Sequence, residues 1–378
     1  MKPISRQPAK DKRVIVIGAG ASGMMAAGRA AEQGTRVILM EKTGEPGQKL
    51  LLSGKTRCNL TNAKDRDAFI DMYGPNGRFL FGAFSRFFRN ELLDFLKKYG
   101  VETKIERGGR IFPSSDDARD VVAAFRRYLK DQGVDIRYQE PVLDIGHEDG
   151  RVTGVHTRTG FIPADAVVLA TGGASYPGTG STGDGYRMAA STGHTVTRLH
   201  PALVPLVVEE IDLAKSMQGV SLRNVRMTAF RCRADRIAPA LAPAFDTGRG
   251  MPRKRLPPLV IESRQGEMMF THFGVGGPVT LLLSLSIVEA LEDGPVSLSI
   301  DLKPSLDILK LAARLQRDFD QFGKRSYQRI LSGLLPRKMI EPIVALTGIP
   351  PDTPGHQINK SQRDRIVHQM KSDRKSVV

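Results

Sequence analysis

The hydrophobic and polar positions divide the chain into three regions. From residue 13 to about 195, short apolar runs alternate with segments of helical periodicity, which is typical of an α/β domain. From about 196 to 303, short strand-like runs stand among many prolines and indicate a β-rich insert. From about 304 to 372 the pattern is helical and polar. We therefore predict domains at 1–195, 196–303 and 304–372.

The same periodicities predict individual elements. In the first region they favour helices at 21–33, 83–99 and 116–132, the last capped by Ser114 and Ser115, and strands at 134–138, 142–146, 151–157 and 166–169. In the second and third regions they favour strands at 203–208, 225–231, 259–262 and 296–300 and helices at 308–319 and 338–346.

A glycine-rich turn joins the first strand to the first helix in VIVIGAGASGMMAAGRAAEQGTRVILMEK. Gly18 allows a tight turn, Gly20 lets a pyrophosphate approach the backbone, and Gly23 lets the helix pack on the strand. The amide groups at the start of the helix are available to phosphate. Glu41 ends the second strand, where its carboxylate can accept hydrogen bonds from an adenosine ribose and disfavours the 2′-phosphate of NADP. These residues predict a dinucleotide site; a glycine turn that serves only helix packing is the alternative.

The segment GQKLLLSGKTRCNLTN, residues 47–62, shows neither helical nor strand periodicity. We interpret it as a polar loop close to the phosphate turn, in which Lys55 and Arg57 could meet a pyrophosphate; an ordinary solvated loop is the alternative. Cys58 lies in this loop without an identified base, so we interpret it as a packed small residue and not as a nucleophile. Neither Cys58 nor Cys232 has metal-ligand spacing, and no metal site is predicted.

A second glycine cluster, TGGASYPGTGSTGDGYRMAA, follows the strand at 166–169. Gly178, Gly180 and Gly183 repeat the GxGxxG spacing, but Pro177 and a glycine turn precede them, so we do not assign a second nucleotide site. We expect Thr171, Gly172 and Gly173 to pass close to the first cofactor. Asp184 is interpreted as the cap of the following helix or as a ligand contact.

The last glycine cluster, GEMMFTHFGVGGPV at 266–279, is predicted to be a flexible or closely approached loop. His272 is its candidate acid, base or substrate anchor. A histidine with a plain hydrogen-bonding role is the alternative.

Composition and charge narrow the class of protein. The 378 residues are 40% hydrophobic and 25% charged, and no apolar run reaches the length of about 18 residues that a membrane span requires. No secretion signal is recognised, so a cytoplasmic location is expected. The net charge is +16, but the basic residues are scattered, with one dense cluster at 249–255 in a predicted exposed loop. We therefore expect a small-molecule substrate and no nucleic-acid partner.

The segments quoted above, together with HPALVPL, resemble in their order the aminoacetone-oxidase-like family of FAD-binding enzymes, which includes a flavin reductase of bile-acid dehydroxylation. The resemblance covers residues 13 to about 372. It implies a Rossmann-like FAD-binding domain with a β-rich insert domain and a small helical region. By motif it implies FAD contacts at Gly18, Ala19, Gly20, Ala21, Ser22, Gly23, Glu41, Lys42, Arg57, Cys58, Asn59, Val142, Thr171, Gly172 and Gly173.

The expected function is therefore that of an FAD-dependent oxidoreductase, which acts on a small molecule by hydride or electron transfer through the flavin, with NAD(P)H as a candidate electron donor. A flavin-dependent RNA-modifying protein, suggested by the +16 charge, and an inactive truncated flavoprotein are the alternatives. The family members continue into a final glycine-rich segment that this chain lacks. We accordingly expect a truncation, with residues 373–378 (DRKSVV) as an artefactual tail.

Overall fold

The computed structural model describes residues 12–241 and 259–377, which form two compact units. The first unit ends at Thr197 and the second begins at Arg198. The basic cluster predicted at 249–255 lies outside the described residues. No helix within the described ranges is both long enough and apolar enough to cross a membrane.

The first unit is built on a parallel four-stranded sheet in the order β10-β1-β2-β6. Apolar runs such as RVIVI and RVILM suit parallel strands that are covered on both faces. The strands of this unit are β1 Arg13–Ile17, β2 Arg36–Met40, β3 Thr61–Asn62, β4 Thr103–Glu106, β5 Arg110–Pro113, β6 Asp135–Arg137, β7 Val142–Glu148, β8 Arg151–Thr157, β9 Gly160–Pro163 and β10 Ala166–Leu169. Its helices are α1 Ala21–Glu32, α2 Gln48–Leu52, α3 Arg66–Asp71, α4 Phe81–Phe84, α5 Arg89–Lys98, α6 Ala118–Asp131 and α7 Asp184–Ser191.

Helices α1 and α6 cover one face of this sheet. Met24 and Ala27 of α1 share a buried cluster with Leu129 of α6. A Cβ on Gly28 would lie 2.1 Å from the ring of Tyr128, so the absence of a side chain at Gly28 permits the close approach of the two helices. Two small antiparallel sheets, β3-β5-β4 and β7-β8-β9, complete the unit.

Three local predictions in the first unit are wrong. The helix predicted at 83–99 is two helices, because the backbone amide of Phe88 donates to the carboxylate of Glu91 at 2.9 Å and starts α5 anew. The helix predicted at 116–132 is confirmed as α6, but its predicted serine cap is wrong, because the cap is Asp117, which accepts from the amide of Arg119. The segment 47–62 opens with the short helix α2, which its polar composition did not indicate.

The second unit contains a six-stranded sheet in the order β11-β14-β13-β12-β15-β16, antiparallel throughout. Its strands are β11 Leu206–Val207, β12 Ser221–Phe230, β13 Val260–Phe270, β14 Gly274–Gly276, β15 Val296–Asp301 and β16 Asp373–Val377. Its helices are α8 Ile211–Ser216, α9 Ala234–Leu241, α10 Pro278–Leu291, α11 Ile308–Gln321, α12 Tyr327–Leu331, α13 Arg337–Thr347 and α14 Lys360–Lys371.

The predicted helices at 308–319 and 338–346 are confirmed as α11 and α13. The segment 266–279 was predicted to be a flexible or closely approached loop; it is not a flexible loop, because Gly274 and Gly276 lie in β14, but the close approach is confirmed. A Cβ on Gly274 would lie 2.1 Å from the carbonyl oxygen of Leu206, so this glycine lets two strands approach closely. Helix α10 was not predicted, since its sequence PVTLLLSLSIVEAL is apolar on nearly every side and lacks an amphipathic period.

Candidate dinucleotide-cofactor site

The turn between β1 and α1 is packed so tightly that side chains would not fit at two of its glycines. Gly18 has φ of +100°, and a Cβ there would lie 2.6 Å from the carbonyl oxygen of Ala170, the residue after β10. A Cβ on Gly23 would lie 1.8 Å from the carbonyl oxygen of Gly18. Gly20 is different, because a Cβ there would meet no heavy atom within 4 Å. The turn is therefore in close contact with the rest of the protein at Gly18 and Gly23, and it leaves open space at Gly20.

Helix α1 begins at this open position. Gly20 is its N-cap and provides no side-chain cap, and the first turn holds no acidic residue. The amide of Met24 donates to the carbonyl oxygen of Gly20 at 3.0 Å, so the amides of Ala21, Ser22 and Gly23 precede the first backbone hydrogen bond of the helix. Such amides, with the positive end of the helix dipole, form an anion site.

The Glu41 carboxylate is fixed beside the turn. Its side chain is mostly buried, with 9% of the residue exposed. One oxygen accepts the amide of Ala19 at 2.8 Å, and the other accepts the amide and the hydroxyl of Thr43 at 2.8 Å each. A carboxylate has about four lone-pair positions, and these three hydrogen bonds leave one for a hydroxyl donor such as that of a ribose.

These groups line one cavity of about 440 Å³, a size in the range of ligand pockets. It brings together eleven of the predicted site residues: Gly18, Ala19, Gly20, Ala21, Ser22, Glu41, Lys42, Asn59, Val142, Thr171 and Gly172. It also includes residues that sequence reasoning did not assign to the site, among them Gly47, Gln48, Lys49, Leu50, Ser53, Glu140, Thr179, Gly180, Ser181 and Met188. The open glycine turn, the free helix start and the buried carboxylate together fit the ADP half of FAD.

Two lysines of the cavity are held by polar partners. Lys42 donates to the carboxylate of Asp184 at 2.6 Å and to the hydroxyl of Thr182 at 2.7 Å. The hydrogen bond from Lys42 is the main cause that lowers the pKa of Asp184 below its ordinary value. Lys49 donates to the hydroxyl of Ser181 at 2.8 Å. The cap of α7 is Gly183, so the interpretation of Asp184 as that cap is wrong, while Asp184 does line the cavity.

Arg57 does not line the cavity. Its guanidinium binds Glu106 through two nitrogens, at 2.9 and 3.2 Å, and Asp116 at 3.1 Å, and it lies 4.1 Å from the centre of the Phe112 ring. The pKa of Glu106 is lowered mainly by its hydrogen bond to Arg57. Arg57 therefore fixes the loop after α2 to the neighbouring sheet, and its guanidinium is directed to these acidic partners.

The same loop carries a buried cysteine and unusual backbone angles. Cys58 is 0% exposed, and burial raises the pKa of its thiol, as expected for a packed residue. Lys55, Thr56 and Cys58 all have positive φ, of 59°, 68° and 62°. Non-glycine residues in this conformation are uncommon and cluster at functional sites. Ser53 and Asn59, on either side, line the cavity.

Three further predicted residues lie away from the cavity lining. Gly23 packs against Gly18, and Gly173 accepts the amide of Gly183 at 3.2 Å through its carbonyl oxygen. His272 belongs to the second unit, in the turn between β13 and β14, where it is exposed and packs edge-on against Phe273 at 4.7 Å. The second GxGxxG, which we did not assign to a nucleotide, follows no strand, and its Gly180 lines the same cavity.

Glu140 is the most informative residue that the sequence did not reveal. Its carboxylate accepts the hydroxyl of Thr159 at 2.7 Å, and its backbone amide donates to the carbonyl oxygen of Glu41 at 3.1 Å. The signal that the sequence offered for Glu140 was a polar residue two positions before Val142, which was itself a predicted contact. Its place beside Glu41 depends on the pairing of β6 with β2.

Comparison with known proteins identifies relatives of the whole chain. Residues 12–274 match the HI0933-like protein Rossmann domain, and residues 255–375 match the HI0933-like protein barrel and H2TH domain. The 3-dehydro-bile acid delta(4,6)-reductase of Clostridium scindens is 30% identical over 363 residues, which cover 95% of this chain and 81% of that protein. The ribosomal RNA dihydrouridine synthase of Escherichia coli is 26% identical, over 93% of this chain and 78% of that protein.

The ribosomal RNA dihydrouridine synthase of Haemophilus influenzae is also 26% identical, over 86% of this chain and 72% of that protein. The family match covers well over half of the chain, and it includes the glycine turn, Glu41 and the rest of the cavity. The chain belongs to the HI0933-like family of FAD-dependent oxidoreductases.

Proposed function

We propose that this enzyme reduces a carbon–carbon double bond conjugated to a carbonyl group, by hydride transfer through FAD. The observation that carries the proposal is the cavity at the start of α1, in which the open glycine turn and Glu41 fit the ADP half of FAD. The relatives supply the reaction class. One is named for reducing the Δ4,6 positions of a 3-dehydro bile acid, and two are named for forming dihydrouridine. Each of these reactions saturates a double bond that a carbonyl group polarises.

The residues of the cavity bind and orient the cofactor. The amides at the start of α1 would hold the pyrophosphate, and the free acceptor position of Glu41 would take a ribose hydroxyl. Lys49, which donates to Ser181, adds positive charge to the lining of the cavity. When bound, FAD supplies a carrier that takes two electrons from a donor, for which we propose NAD(P)H, and delivers them as hydride.

The first candidate substrate is a small molecule, as expected from the sequence, and we propose that it carries an enone group. Addition of hydride to the β-carbon must be completed by a proton at the α-carbon. We propose His272 for that proton transfer, because its exposed imidazole is the candidate acid that the sequence indicated. His272→Asn should then lower the turnover number while the FAD content stays unchanged.

The second candidate substrate is a uracil base in RNA. The net charge of +16 favours it, since a basic surface attracts a polyanion. Two relatives over most of the chain are named as ribosomal RNA dihydrouridine synthases.

The test is anaerobic re-oxidation of the reduced flavin. The FAD-loaded protein is reduced with NADH or NADPH and then mixed with a 3-oxo-4-ene steroid or with uridine-containing ribosomal RNA. One acceptor should restore the oxidised flavin absorbance and gain two hydrogen atoms by mass spectrometry. The matched controls are the saturated 3-oxo steroid and RNA in which uridine is already dihydrouridine. The proposal fails if the saturated controls re-oxidise the flavin as fast as the unsaturated acceptors, or if neither unsaturated acceptor reacts.

A further inference from the structure

We propose that a surface of the first unit, remote in sequence from the glycine turn, binds unpaired bases of a single-stranded RNA. We call it the aromatic–arginine surface and define it by Tyr73, Phe79, Phe81, Phe87, Arg78 and Arg86. It includes α4 and the 3-10 helix Gly74–Leu80 that precedes it. The proposal rests on the RNA candidate of the proposed function and adds the place where the chain would dock.

The rings of this surface are unusually exposed. Phe79 is 89% exposed, Tyr73 is 52% exposed and Phe81 is 50% exposed. Exposed apolar groups that adjoin one another mark interaction sites more often than single exposed residues do. The guanidinium of Arg66 lies 4.6 Å from the centre of the Phe81 ring and makes a cation–π contact with one face of that ring.

A cluster of half-buried aromatic rings lies beside the exposed Tyr73 ring. Phe69 packs edge-on against Phe84 and Phe88, with ring centres 5.6 and 5.3 Å apart. The Tyr73 ring joins this cluster, 5.9 Å from Phe69 and 6.1 Å from Phe84. The Tyr73 ring is therefore held by neighbouring rings, which limits the conformational entropy that it loses when a partner binds.

The charge of the segment selects a polyanion. Between residues 72 and 90 there are three arginines and no acidic residue. Arg89 is engaged, because it donates to the backbone carbonyls of Ala63 and Lys64 at 2.7 Å each. Arg78 and Arg86 are exposed and form no ion pair with any residue in the described part of the chain.

Single-stranded RNA fits this combination better than an apolar protein partner. Bases stack on aromatic rings and on guanidinium planes, while arginines neutralise the phosphates between them. A duplex hides its bases and could use only the charges. The aromatic–arginine surface should therefore prefer single-stranded RNA to a duplex of the same sequence.

The experiment measures binding of a fluorescent uridine-rich single strand by anisotropy at several salt concentrations, with the FAD-loaded full chain. Phe79→Ala should weaken binding about tenfold, since one stacking contact is lost. The double variant Arg78→Gln with Arg86→Gln removes two phosphate contacts. Since each contact contributes roughly 0.7 to the slope of log affinity against log salt, the magnitude of that slope should fall by about 1.4. The matched control removes the same charge elsewhere in the first unit, with Arg151→Gln and Arg158→Gln, and should leave affinity and slope close to those of the wild type. Circular dichroism and FAD content show that each variant is folded.

Several outcomes would overturn the assignment. They are equal binding by wild type and Phe79→Ala, an equal loss in the control pair, a preference for the duplex, or no RNA binding by the wild type. Loss of binding to anionic lipid vesicles in Phe79→Ala, with RNA binding unchanged, would assign the surface to a membrane instead. Flavin re-oxidation by the enone is measured on the same samples, so failure of the reductase reaction remains distinguishable from failure of this surface.

Discussion

Replacing Gly20 with alanine should separate cofactor binding from stability of the fold. The backbone of Gly20 has φ of −77° and ψ of −175°, an extended conformation that alanine adopts without strain, and the added Cβ meets no atom within 4 Å. At such a position alanine restricts the unfolded chain, which stabilises by about 0.4–1 kcal/mol, but alanine is a poorer N-cap than glycine by a similar amount, so the free energy of unfolding should stay within about 1 kcal/mol of the wild-type value. Gly20 also lines the cavity at the start of α1, so the methyl group occupies space that the pyrophosphate needs. We expect the Kd for FAD to rise at least about tenfold, equivalent to about 1.4 kcal/mol.

Two assays on the apoprotein measure the two quantities. Urea unfolding gives the stability, and quenching of flavin fluorescence gives the Kd for FAD. Gly82→Ala is the matched control, because Gly82 lies in α4 with open space at its Cβ and should leave FAD binding unchanged. Gly18→Ala is the opposite control and should destabilise the apoprotein, since its φ is +100° and its Cβ would lie 2.6 Å from the carbonyl oxygen of Ala170. Wild-type FAD affinity in Gly20→Ala would refute the assignment of the pyrophosphate to this turn, and an unfolded Gly20→Ala would refute the packing argument.

Three other changes have defined outcomes. Glu41→Gln should weaken FAD binding about tenfold in isothermal titration, because the amide group offers fewer acceptor positions than the carboxylate; unchanged affinity would remove Glu41 from the ribose site. Because burial raises the pKa of Cys58, its thiol should react with Ellman's reagent at pH 8 only after unfolding, as tested in Cys232→Ser. Because the folded state favours the neutral Cys58 thiol, the contribution of this thiol to the free energy of unfolding should decline as pH rises above the ordinary thiol pKa. Rapid labelling of Cys58 in the native protein would contradict both the burial of the thiol and this pH dependence. Lys371→Met should lower the free energy of unfolding, measured in urea, by about 3 kcal/mol. The substitution removes the ammonium group 2.6 Å from Asp301, whose side chain is only 15% exposed and would be left as an unpaired charge. A loss below about 1 kcal/mol would show that the two residues behave as a surface ion pair.

Local sequence determined the part of the site that lies within one strand–turn–helix–strand unit. Gly18, Gly20 and Gly23 are specified by backbone angles and close contacts between neighbouring elements, and Glu41 by the end of the adjacent strand. Strands such as β8 and β10 were placed to the residue, because alternation and apolar runs are properties of consecutive positions.

Only the tertiary structure decided which distant side chains meet. The sequence offered Arg57 as a phosphate ligand, whereas the fold places Glu106 and Asp116 beside it, and Arg57 pairs with both carboxylates. Lys49 reaches the cavity together with Ser181, a residue more than a hundred positions away, through the arrangement of α2 and the second glycine cluster. Pairing of this kind depends on sheet order and on the approach of separate elements, and periodicity within one segment carries no information about either.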